Sequence, residues 1–335
     1  MKNNEQVSFY YGGKHSEPTN QPDGSYACAK QNINYRGSHT FAQDSMSYKR
    51  IAVLTALAMI AFAGNSLLCR VALENTGIDA ASFTTIRLIS GAITLWLVVR
   101  FRGGNQNGRG NWMSSLALFA YAAGFSFAYM SLPTATGALL LFGAVQTTMI
   151  GYGFLVGERL LKWQIFGLML ASGGIVVLLL PGLSAPPLIG SILMLAAGIA
   201  WGVYSVRGKG AGDPFRVTAG NFLRTVPFAL ALSVLTFEST ALDHAGVGYA
   251  VASGALASGI GYAIWYTVVP QLKATSASTV QLSVPVIAAV GGVVFLAEPI
   301  TLRLALASVA ILGGILLFIK AKVQKPGRPS IESTG

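Results

Sequence analysis

Between Ile51 and Lys322 the chain is a succession of apolar runs of about 20 residues, each long enough to cross a hydrocarbon core of about 30 Å as a helix. That feature excludes most of what 335 residues could otherwise fold into. In lipid every backbone N–H and C=O must be satisfied within the structure, which leaves helices and closed barrels. A barrel strand alternates apolar and polar residues, and these runs do not. Charged residues are 10% of the chain, against about 25% in a soluble domain. Mean hydropathy is +0.58 even with a polar N-terminal stretch included. The expected fold class is an all-α integral membrane protein, with a lipid bilayer as its first partner.

Ten spans are expected, at 51–72, 80–100, 112–131, 134–155, 161–181, 187–207, 215–237, 245–268, 274–296 and 301–321. Positive charge orients them. Lys49 and Arg50 precede span 1; Arg100, Arg102 and Arg109 follow span 2; Arg159 and Lys162 follow span 4; Arg207, Lys209 and Arg216 follow span 6; Lys273 follows span 8; Lys320, Lys322, Lys325 and Arg328 close the chain. The alternate loops hold Glu74, Asp79, Glu238, Asp243 and His244, with Arg303 the exception. Both termini are thus expected in the cytoplasm, with the chain multi-pass in the cytoplasmic (inner) membrane. The net charge of +11 lies mostly in tails and short loops, so it reports topology and not a nucleic-acid partner.

One stretch occurs twice. Residues 132–179 align without a gap on residues 272–319 when slid by 140. Leu132 meets Leu272, Gly151 meets Gly291, Glu158 meets Glu298, and Gly173-Gly174-Ile175 meets Gly313-Gly314-Ile315. Weaker matches pair Ala63-Gly64 with Trp201-Gly202 and Arg87 with Arg224. With five spans to a half, an odd number, the second half enters the membrane upside down. Inverted repeats of this kind mark secondary transporters, in which two halves rock about a site near the midplane. The expected organisation is a disordered polar tail over 1–48, one five-helix repeat over 49–181, an inverted second over 187–321, and a cytoplasmic tail over 322–335. Met46-Ser-Tyr-Lys-Arg also fits a translation start, which leaves open whether residues 1–45 belong to the expressed protein.

These residues resemble the EamA-type transporters of the drug/metabolite transporter superfamily. The resemblance covers about 51–321 and rests on Gly157-Glu158-Arg159, Ala297-Glu298-Pro299-Ile300-Thr301, Ser283-Val284-Pro285-Val286, Ala200-Trp201-Gly202 and Arg87. Similar proteins carry Pro in span 4, where this chain has Val145-Gln146. The resemblance implies a central cavity lined mainly by spans 1, 3, 4, 6, 8 and 9, and export of small metabolites by alternating access.

Candidate substrate-binding residues are the polar and aromatic groups deep in those spans: Asn65, Tyr121, Gln146, Trp201, Tyr262 and Gln281. An amide or phenol at that depth either holds a substrate or bonds to a neighbouring helix for about 0.6–2 kcal/mol. Tyr204 and Tyr266 fit an aromatic belt at the membrane interface. Arg87, Arg224 and Pro285 are hinge or gate candidates. A central Arg costs about 2.5–3.5 kcal/mol on insertion scales and must pair, snorkel or face water. Pro285 frees a backbone carbonyl and can kink span 9. Arg70 lies near a span end and fits snorkelling. Glu158 and Glu298 each precede a span, where a carboxylate suits the positive end of the helix by about 0.3–1 kcal/mol. Two small-residue stripes on span 8, Ala250-Gly254-Ser258 and Ser253-Ala257-Gly261, call for close packing on two sides.

No catalytic residue, metal or cofactor is indicated. The chain has no phosphate-binding Gly-Lys-Ser/Thr loop, its three histidines lie outside the spans, and Cys28 and Cys69 are far apart. No acid sits deep in a span, which favours a facilitator or an exchanger over a carboxylate proton relay. The expected function is a secondary transporter for a small-molecule substrate, an exporter of amino acids or related metabolites, and not an enzyme. The alternatives are a nucleotide-sugar or lipid-like substrate, a membrane-embedded enzyme, and a partner-dependent membrane subunit; no oligomeric state is indicated.

Overall fold

The computed structural model describes residues 47–102, 108–155, 160–180, 182, 185–208, 211–272 and 280–323. The N-terminal tail up to residue 46, Glu158, and the C-terminal tail beyond Val323 lie outside the described residues.

Among the described residues the regular structure is entirely helical. The helices are α1 (Tyr48–Asn75), α2 (Ala80–Arg102), α3 (Trp112–Tyr129), α4 (Thr134–Leu155), α5 (Lys162–Leu179), α6 (Leu188–Arg207), α7 (Pro214–Leu235), α8 (His244–Val268), α9 (Ser283–Leu296) and α10 (Leu302–Val323). Eight of them are long and apolar enough to cross a membrane. The other two are α3, with 18 residues, and α9, with 14. At 1.5 Å per residue α9 covers about 21 Å.

The acids of the loops have local work to do. Asp79 starts α2, its Oδ1 accepting from Ala81 N and Ser82 N at 2.9 Å each. Asp213 and Asp243 start α7 and α8 in the same way, and Asn111 starts α3. Each satisfies backbone donors that a helix leaves open in its first turn. Asp79 also ties two loops, since its Oδ2 accepts from Ala241 N. Burial pushes the Asp79 carboxyl up, but the hydrogen bonds from Ser82, Ala241 and Ala81 outweigh it and hold the group below the usual carboxylate range. Arg303, the exception among the loop charges, donates to the Leu180 carbonyl just past the end of α5, where a cation suits the helix dipole.

Packing follows the small residues. The glycine pairs that close the two sequence copies bring α5 against α10: Gly314 lies on Gly167 and Ala171, and Gly174 on Ala310 and Ile311, with no room for a Cβ. On α8, Gly254 lies against the Arg87 carbonyl and Ser90 of α2, while Gly261 meets Ala61 of α1, so the two stripes do face two neighbours. The winding of α8 is a departure. From Ala252 to Ile260 it is π-helix, a form that is rare and frequent at functional sites. The wide turn sets the Ser253 hydroxyl 2.6 Å from Asn65 Oδ1 of α1.

Gly254→Ala is expected to force α8 off α2 and cost about 1–3 kcal/mol. Gly248, on the same helix with open space beside it, is the control, and Gly248→Ala should leave the melting temperature in detergent nearly unchanged. Equal melting temperatures for the two variants would refute the close approach.

Candidate functional site

A cavity of about 390 Å³ enters the bundle at the end where α6 stops and α7 starts. Gly208, Pro214 and Val269 stand near its mouth, and Asn65, Ser66 and Phe125 at its inner end. All six candidate binding residues line it: Asn65 of α1, Tyr121 of α3, Gln146 of α4, Trp201 of α6, Tyr262 of α8, and Gln281 just before α9. Trp201 is the centre of the wall. Its ring stacks on Tyr262 with centroids 5.5 Å apart and an interplanar angle of 28°, and lies 4.7 Å from Tyr121 and 5.3 Å from Tyr204. Phe62 closes on Tyr262 edge-on at 5.6 Å. Pairs of this kind add about 0.5–1.5 kcal/mol beyond area burial, so the wall is stiff. Gln146 has no hydrogen-bond partner among the described residues although it is buried, which leaves its amide for whatever enters.

The inner end is a chain of polar groups. Ser253 donates to Asn65 Oδ1; Asn65 Nδ2 donates to Tyr121 OH at 3.4 Å; Arg87 Nη2 donates to the same oxygen at 3.1 Å. Arg87 does not line the cavity but stands behind that hydroxyl, 2% exposed. Its guanidinium carbon is 4.8 Å from the Phe125 ring centre and 5.3 Å from that of Tyr121.

The other two hinge or gate candidates are placed elsewhere. Arg224 donates to the carbonyls of Gly220 and Arg109, tying α7 to the start of α3, and does not reach the cavity. Pro285 lies in the first turn of α9 and not mid-helix, because the helix is interrupted at Leu282. The ring of a proline clashes with the carbonyl four residues back, here that of Gln281. Pro285 faces a second, apolar cavity of about 210 Å³ between α4, α9 and α10.

Several expectations are corrected. Tyr204 and Tyr266 are cavity wall and not an interfacial belt; Tyr204 is 5% exposed and its hydroxyl accepts from Asn221 Nδ2. Their spacing from Trp201 and Tyr262 already put them on one helical face with those rings. Span 7 contributes Val217, Thr218 and Asn221 to the lining, although the resemblance had left it out of the cavity. Thr218 and Asn221 lie on the span that the resemblance left out, and Phe62 is one apolar ring of an apolar span, so depth alone did not mark them.

Glu298 lies outside the cavity lining, at the start of α4. Its carboxylate accepts from the backbone N–H of Thr134 at 2.8 and 2.9 Å and from the Thr134 hydroxyl at 3.0 Å, so it caps α4. Its own helix is served by the Thr301 hydroxyl, which accepts from Leu304 N. Ala297, in the left-handed region at φ 53°, turns the chain toward that contact. Arg70 does not snorkel: it pairs with Glu74 at 2.7 Å, donates to the Tyr129 and Met130 carbonyls, and lies 3.7 Å from Glu298.

This architecture has relatives. The family model for the EamA-like transporter family matches residues 188–320. An uncharacterized protein of Pseudomonas aeruginosa is 52% identical over 284 residues, covering 84% of this chain and 99% of that protein. The chain belongs to the EamA-like transporter family. It is also similar to the uncharacterized transporter YoaV of Bacillus subtilis, 23% identical over 252 residues (70% of this chain, 85% of the relative). An uncharacterized transporter of Archaeoglobus fulgidus is 24% identical over 280 residues (79% and 96%). A protein of known crystal structure shares the fold, with a TM-score of 0.58 at 20% identity over 81% of this chain and 98% of its own. This EamA-like protein is therefore a multi-pass membrane transporter with a small-molecule substrate.

Gln146→Ala, which removes an amide without a partner, is expected to cut transport about tenfold, the worth of one hydrogen bond to a ligand, while leaving the melting temperature in place. Wild-type rates in that variant would take Gln146 out of the site.

Proposed function

We propose that this transporter exports amino acids or related small metabolites from the cytoplasm across the inner membrane, by alternating access between two inverted five-helix halves. The observation that carries the reading is a cavity that runs from the end of α6 and the start of α7 to Asn65 and Phe125 inside the bundle, walled by amides and aromatic rings. Its volume of about 390 Å³ falls in the lower part of the range of small-molecule sites.

The packing supports two equivalent halves. α1 packs on α8 and α9 as α6 packs on α3 and α4; α2 packs on α8 as α7 packs on α3; α2 meets α7, α4 meets α9, and α5 meets α10. Exchanging α1–α5 with α6–α10 leaves these pairings unchanged. The mouth lies at the end bearing Arg102 and Arg207, which the positive-inside rule assigns to the cytoplasm, so the cavity faces inward. Among the described residues no acid, base or histidine lines the cavity, which suits a neutral, zwitterionic or weakly anionic substrate better than a cation.

Counterflow by the purified protein in liposomes tests this, over amino acids, sugars and nucleotide sugars, with and without a pH gradient. Saturable exchange of amino acids or their close metabolites is the expected result. Exchange confined to nucleotide sugars would overturn the substrate class. Failure of every compound would overturn the export reading.

A further inference from the structure

We infer that the inner end of the cavity receives a carboxylate group of the substrate, donated to by the Tyr121 hydroxyl, with Arg87 behind it as the counter-charge. This rests on the carrier reading above and sharpens it to one chemical group at one place.

The argument starts from Arg87. A guanidinium is always charged and offers five N–H donors with no acceptor. Here it is 2% exposed, and Nη1 is buried with no hydrogen-bond partner. Among the described residues no carboxylate pairs with it; the salt bridges found all belong to Arg70. The other described acids are occupied or distant: Glu298 caps α4, Glu74 holds Arg70, Asp79, Asp213 and Asp243 start helices, and Glu238 lies in a short turn with no buried residue. The Phe125 and Tyr121 rings offset part of the cost through cation–π contact. A buried positive charge is left over, and it abuts the one end of the cavity that has polar groups in series.

Tyr121 carries that charge to the cavity. A phenol oxygen has one hydrogen to donate and lone pairs to accept with. Arg87 Nη2 and Asn65 Nδ2 both donate to it, and Asn65 Oδ1 is taken by Ser253, which fixes the amide's orientation. The phenol hydrogen is therefore left to donate, and Tyr121 lines the cavity. A phenol that accepts from a cation is a stronger donor. The result is a donor with a net positive charge behind it and no acid among the described lining residues. That combination selects an acceptor bearing negative charge. One cation and one aimed donor match a monoanionic carboxylate, whereas a diphosphate calls for several cations. Tyr121 is the contact residue; Arg87 acts through it and is a positioning residue.

The test uses purified full-length protein in detergent and pairs of aromatic compounds matched in shape: indole-3-acetate with indole-3-acetamide, L-tryptophan with L-tryptophanamide, and benzoate with benzamide. Phenyl phosphate is added as a second oxyanion. Affinity is read as the concentration giving half of the maximal rise in melting temperature. The carboxylate of a stabilising pair should bind about tenfold tighter than its amide, the difference between a charge-assisted and a neutral hydrogen bond. In Arg87→Gln the preference should fall to about threefold or less, and Tyr121→Phe, which keeps the ring and the buried Arg, should remove it as well. Amides binding as tightly as carboxylates, a preference that survives both variants, or no stabilisation by any carboxylate would each overturn the inference. Stabilisation by phenyl phosphate above benzoate would reassign the site to phosphorylated ligands. Binding in detergent is independent of movement across a membrane. Counterflow without carboxylate preference would leave the carrier and remove this site, and carboxylate binding without counterflow would do the reverse.

Discussion

The two sequence copies of this bundle are joined by a single carboxylate placed on the start of a helix. The first turn of α4 has N–H groups with no partner inside the helix, and in lipid no water replaces them. Glu298 satisfies the Thr134 N–H and hydroxyl, and Arg70 beside it balances the charge. Because Glu298 comes from the break before α10 and Thr134 begins α4, the contact joins the two sequence copies. Ala297 adopts a left-handed backbone to make it, a conformation that costs a non-glycine residue about 1–2 kcal/mol.

Inside, rigidity and reserve are divided between residue types. The Trp201, Tyr204, Tyr262 and Tyr121 rings support one another, which fixes a shape at little conformational cost. The amide of Gln146 faces the cavity, and the buried guanidinium of Arg87 is left short of a partner at Nη1. Groups that cost stability in the empty protein are those whose satisfaction by a ligand gains most, since an unpaired buried donor costs about 1–3 kcal/mol.

Much of this was legible in the chain. Run length and low charge were enough for an α-helical membrane protein, because a helix satisfies all its backbone groups within one segment. Depth within a span was enough to single out Asn65, Tyr121, Gln146, Trp201, Tyr262 and Gln281, which share one cavity. Depth also misled. Tyr204 and Tyr266 lie near span ends, which is equally the signature of an interfacial belt and of a cavity mouth. Thr218, Asn221 and Thr225 form a polar stripe on α7, and what that stripe faces depends on how α7 leans on α3 and α2.

What the sequence by itself determined are quantities that depend on one segment at a time: which stretches are helical, where small residues permit close approach, and which copies correspond. What only the tertiary structure decided are the partners. Glu298 could have capped its own helix, and it caps α4. Arg87 could have met an acid, and it meets Tyr121 and Phe125. The reason is that a charge in a low-dielectric bundle is governed by whatever lies within a few ångströms, and those neighbours come from helices far apart in the chain. No local pattern in α2 records that α3 will bring a phenol to its arginine.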